Sequence, residues 1–207
     1  MKRMLPAALV AASLGAAGAA GAATISERTT YFAVRGSTLE QLDRELNRKG
    51  PSAGTAGDRH PGATQVSFGG RITYAPSGRA CRVGRTDFTL KLVKILPRWT
   101  PTRSASAATA IIWRTLAEDI YRHEEDHAKI ARGYVRKMES AVRNLGPRPD
   151  CRSMEAAVNA TTARYLKEHE RAQLDFDKVE GREVNRRLKR LLQRNIEKAL
   201  ASERATQ

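Results

Sequence analysis

The chain has 207 residues, 41% hydrophobic and 5% aromatic, and 37 Lys and Arg against 22 Asp and Glu give it a net charge of +15. This length allows one domain with a sizeable core, and beyond the N-terminus no stretch approaches the roughly 20 apolar residues of a spanning helix. The charge suits polyanionic surroundings such as headgroups or cell-wall polymers, whereas the low aromatic content argues against a nucleic-acid binder.

At the start of the chain, Lys2 and Arg3 precede a Leu/Ala/Val/Gly stretch that ends in Ala20-Gly21-Ala22-Ala23, the pattern of a cleaved secretory signal. Residues 1–23 are therefore expected to be a signal peptide and 24–207 a single mature domain in the periplasm or outside the cell. Losing Lys2 and Arg3 lowers the net charge by two, to +13. In an oxidising compartment the two cysteines, Cys81 and Cys151, most simply form one disulfide.

Thr29 to Val34 is β-branched and aromatic and predicts a strand closed by Gly36. Ser37 or Thr38 can cap a helix in which Leu39, Leu42 and Leu46 share a face, with Gly50-Pro51 as its stop. A loop from Pro51 to Thr64 holds His60, read as an exposed histidine. Strands are predicted over Thr64 to Tyr74 and Arg82 to Leu96, and the three are expected to form a small antiparallel sheet.

From about Ser104 the spacing turns helical. Ile112, Leu116, Ile120, His123, His127, Ile130, Tyr134 and Met138 advance by threes and fours, which turns both histidines inward. Pro147-Arg148-Pro149 ends this helix, and Cys151 opens a second long helical region. Its apolar face runs through Val158, Tyr165, His169, Ala172, Phe176 and Val179, then Val184, Leu188, Leu191, Leu192 and Ile196, with Gly181 as a break or kink between them. Arg186, Arg187, Lys189 and Arg190 read as a solvated face. Trp99, Tyr121 and Tyr134 default to the core.

The informative stretch is His123-Glu124-Glu125-Asp126-His127. Histidines at i and i+4 on a helix can hold one zinc ion, and the glutamate after the first can activate water as general base. A third ligand must come from elsewhere, because Gly133 is out of register for the extended metzincin pattern. Asp177 and Glu180, with His169 and Glu170 upstream, are the candidates, and the chemistry alone leaves them open.

The chain resembles a predicted secreted zinc-dependent protease family of bacteria, catalogued as a domain of unknown function. The matching pieces are Thr30 to Gly36, Asn47 to Pro51, the strand after Cys81 ending in Leu96-Pro97-Arg98-Trp99, Arg122 to His127, and Cys151. The resemblance implies Glu180 as third ligand beside His123 and His127, with Asp177 next, and leaves His169 as a helix-face histidine. Asp126 departs from the small residue many members carry there.

The expected fold is α+β, a small antiparallel sheet packed on a zincin-like motif helix with one or two long C-terminal helices. The expected activity is that of a Zn2+-dependent metallopeptidase acting on protein or peptide substrates, with Glu124 as base. The alternative is a non-catalytic zinc-binding or envelope-binding protein that keeps the fold and docks on anionic polymers through its basic surface.

Overall fold

The computed structural model describes residues 22–52, 59–101 and 104–205, so the greater part of the expected leader lies outside the described residues. In chain order it comprises β1 (Thr24–Gly36), α1 (Leu39–Lys49), β2 (Ala63–Ser77), β3 (Ala80–Pro101), α2 (Ala107–Arg143) and α3 (Cys151–Ala205). The fold is α+β, with a three-stranded sheet and three helices. No described helix is long and apolar enough to cross a membrane.

The sheet is mixed, which corrects the antiparallel expectation. β3 lies at its centre, antiparallel to β2 and parallel to β1, so Thr30 and Ala63 both face Ile95. Alternating side chains fix which face of a strand is buried but not which strand it pairs with. β2 and β3 are joined by a tight hairpin with Gly78 at φ +62°, a conformation that disfavours residues with a Cβ.

Phe88, Leu90, Leu92 and Leu96 alternate along β3 and are buried, as period two requires of a strand with one covered face. Phe88, Leu90 and Leu92 meet Ala128, Ala131, Val135, Met138 and Val142 of α2 and Met154 and Val158 of α3 in the main core. A second cluster joins Val34, Leu42 and Leu46 to Trp113, with Trp99 packed against it. Tyr121, expected inside, is exposed.

Capping explains the helix starts. Thr38 accepts from the N–H of Gln41, Ser106 from that of Thr109 and Asp150 from that of Ser153, each side chain satisfying an amide that the first turn leaves unpaired. Cys81 and Cys151 form the expected disulfide, closing a separation of 70 residues. Beside it, Cys81 and Arg148 exchange both backbone hydrogen bonds. The start of β3 is thus stapled to the start of α3.

The buried stripe of α2 runs through Trp113, Ile120, Glu124, Ala128, Ala131 and Val135, which turns the helix slightly from the predicted phase. His123, His127 and Tyr134 fall on the half-buried flank beside it, toward α3. α3 runs through Gly181 without a break.

Candidate metal centre

Each acid of the motif has its own destination. Glu124 is 4% exposed and turns under the start of β2, where Thr64 Oγ1 lies 2.8 Å from both its Oε2 and its backbone carbonyl. A hydroxyl has one proton but can also accept, so Thr64 can donate to the ionised carboxylate or accept from the protonated acid. Burial pushes the Glu124 acid above the usual carboxylate range, opposed by the Thr64 hydroxyl and by His127, while Asp177 reinforces the rise. Gly62 leaves no room for a Cβ here, since one would sit 2.7 Å from Ile120 and 3.0 Å from Glu124 Oε1.

Glu125 points the other way, into ion pairs with the buried Lys94 of β3 and with Arg132, which also reaches Glu27. Asp126 pairs with Arg122 and Lys129 at the surface. The helix is held to the sheet immediately beside its histidines, and that fixes where they point.

His123 Nε2 and His127 Nε2 stand 3.0 Å apart. Asp177 Oδ1, from α3, is 3.0 Å from His127 Nε2 and 3.3 Å from His123 Nε2. These three donor atoms lie within 4.8 Å of one another. Two imidazoles and a carboxylate around a common point suit a borderline divalent ion such as zinc. Phe176 lies against both imidazole rings.

The hydrogen bonds around His127 select its tautomer. Nδ1 is 2.6 Å from Gln173 Oε1, which can only accept, so the ring proton sits on Nδ1 and the Nε2 lone pair faces Asp177 and His123. The Gln173 amide nitrogen donates to the His127 carbonyl at 3.2 Å and to His169 Nε2 at 2.8 Å, which fixes its orientation. His169 packs edge-on against Phe68 and Tyr134. Burial lowers His123 below the usual imidazole range, with His127 reinforcing it and Asp177 and Glu180 opposing it. Burial likewise lowers His169.

Glu180 is elsewhere. Its Oε2 is ion-paired with Arg122 and with Arg187 Nη1 at 3.1 Å, and stands 3.7 Å from His123 Nδ1, the nitrogen that faces away from the cluster. It is a backing carboxylate for His123 in this arrangement, and Asp177 occupies the position by the Nε2 atoms. Arg187 also binds Asp119, so it leaves the solvated face on which the sequence put it. Glu170 lines the cavity with His60, Gly62 and Thr64.

The cluster opens into a cavity of about 740 Å³ between the start of β2, α2 and α3. Val66, Leu116, Ile120, Leu174, Val184 and Leu188 give it apolar walls. Sequence reasoning passed over Gln173, although His169, Gln173 and Asp177 recur at intervals of four, the spacing of one helix face.

The fold and site together define an α+β chain that presents a histidine pair from one helix to a carboxylate on another. A model of the family described as "Bacterial protein of unknown function (DUF922)" matches residues 29–187, and the chain belongs to that family. No curated protein and no solved structure matches the chain.

Proposed function

We propose that the chain is an exported zinc-dependent peptidase in which His123, His127 and Asp177 hold the metal and Glu124 is the general base. One observation carries the reading: two imidazole Nε2 atoms and an Asp177 oxygen converge at a cavity, next to a buried glutamate of raised pKa. Zinc at such a place supplies Lewis acidity, polarising a carbonyl and acidifying a water. Glu124 takes the proton of the attacking water and returns it to the leaving amine, a task suited to a carboxyl whose pKa burial brings nearer neutrality. Thr64 stays hydrogen-bonded to it in both protonation states.

Substrate alignment falls to β2. Among the described residues it pairs on one side only, with β3, and its first residues Ala63 and Thr64 line the cavity. An extended peptide adding to that edge would lie beside Glu124 with its side chains against the apolar walls, which supports protein or peptide substrates with large apolar groups near the cleaved bond. The zincin-like character of the packing is part of the proposal.

The test is metal content and hydrolysis of an unstructured protein by the purified mature chain. Wild type is expected to hold about one zinc, and His127→Ala and Asp177→Ala to lose both zinc and cleavage. Glu180→Gln is expected to keep zinc with weakened affinity. A metal-replete wild type without zinc would remove the reading and leave an envelope-binding domain; zinc without cleavage would leave a non-catalytic zinc protein.

Gln173 gives a second check. Gln173→Leu keeps the side-chain bulk but removes the acceptor for His127 Nδ1, so zinc affinity is expected to fall about 10- to 100-fold while helix content holds. Competition with a chromophoric chelator reads the change. Unaltered affinity would show that the tautomer is set without Gln173.

A further inference from the structure

Glu139 lies about 18 Å along α2 from His127, outside the candidate site. It is 5% exposed. Its Oε2 accepts from the backbone nitrogen of Ala23 at 3.1 Å. Its Oε1 is buried without a hydrogen-bond partner, and Arg143 Nη1 stands 3.9 Å from it. A buried carboxylate oxygen left in this state is costly.

The atom facing it is informative. Ala23 directly follows Ala20-Gly21-Ala22, a small-x-small triplet at the end of an apolar stretch, after which signal peptidases cut. Ala22 is exposed, whereas Ala23 is half-buried against the main core and leads directly into β1. A peptide N–H offers Glu139 one proton; an α-ammonium at the same nitrogen offers three, with a full positive charge.

We infer that a signal peptidase cuts the Ala22–Ala23 bond and that Glu139 is a built-in binding site for the new α-ammonium, locking the start of β1 onto α2. In the cut, water adds across the amide. Ala22 departs with the leader as a carboxylate, and the Ala23 nitrogen takes a proton to become the ammonium. Processing occurs on the emerging chain, so the charge exists before folding covers Glu139. The mature chain then begins at Ala23, one residue earlier than the composition of the leader suggests. This inference rests on export and is independent of the metal centre.

Intact-mass analysis of the exported protein is expected to give Ala23 as the first residue. Four purified chains then read the ion pair: starts at Ala23 and at Ala22, each with Glu139 and with Glu139→Gln. With Glu139, the Ala22 start is expected to melt about 5 °C lower; with Glu139→Gln the two starts should melt together. An Ala23 chain with an acetylated α-amine provides the same comparison without altering Glu139, and is expected to melt as low as the Ala22 start. A mature terminus at another residue, an extension effect of equal size in both backgrounds, or no effect of acetylation would each overturn the inference.

Discussion

Glu124→Gln is expected to keep zinc at wild-type stoichiometry while slowing hydrolysis about a hundred- to ten-thousand-fold, the range general acid–base catalysis contributes. The amide is nearly isosteric with the carboxylic acid, and it can still hydrogen-bond Thr64 Oγ1, now 2.8 Å from Oε2. Packing beneath Gly62 and Ile120 is therefore kept. What is lost is the ability to take a proton from water and hand it on. Because Glu124 is absent from the three donors that converge on one point, metal content and turnover should separate in this variant, whereas they fall together in His127→Ala. The measurement is zinc by elemental analysis alongside cleavage of a labelled unstructured protein. Wild-type turnover by Glu124→Gln would end the assignment of Glu124 as base.

Removing the disulfide is expected to have the largest effect on stability. A cross-link between positions 70 residues apart restricts the unfolded chain by about 4 kcal/mol in the chain-entropy treatment. For a domain of this size that corresponds to a fall in melting temperature of about 10 °C. The double variant Cys81→Ala/Cys151→Ala tests it without burying a polar group, which matters because Cys81 is 1% exposed in the main core. Zinc content should be unaffected, since neither cysteine touches the histidine cluster. A melting temperature within about 2 °C of wild type would show that the paired backbone of Cys81 and Arg148 holds the junction unaided.

The local signals in the chain are good guides where one residue type does one physical task. Leu42 and Leu46 mark the buried face of α1, Gly50 ends it, and the alternating β3 residues Phe88, Leu90 and Leu92 are buried as their spacing requires. The cysteine pairing follows from the count, since two cysteines allow one disulfide. Strand partnership does not, because β1 has the same alternation whether it meets β2 or β3, in either direction, and it lies parallel to β3.

The α2–α3 seam was hidden for a different reason. Past Val158 the ring contacts of His169 and Phe176 are joined by polar contacts from Gln173, Asp177, Glu180, Arg187 and Asn195, which apolar periodicity does not register. Asp177 and Glu180 are also both acids one turn apart, so spacing alone could not say which would sit by the Nε2 atoms and which would be neutralised by two arginines.

The polar character of that seam has a bearing on the cavity. An oily helix interface slides little, because any displacement exposes surface to water. Here the far wall of the cleft is fastened by the Glu180 and Asp119 carboxylates gripping Arg122 and Arg187, with Asn195 donating to Thr115 further along. Ion pairs at half-buried positions such as these weaken as dissolved salt rises. The packing on this side of the cavity thereby depends on ionic strength, whereas the apolar packing of α2 on the sheet does not.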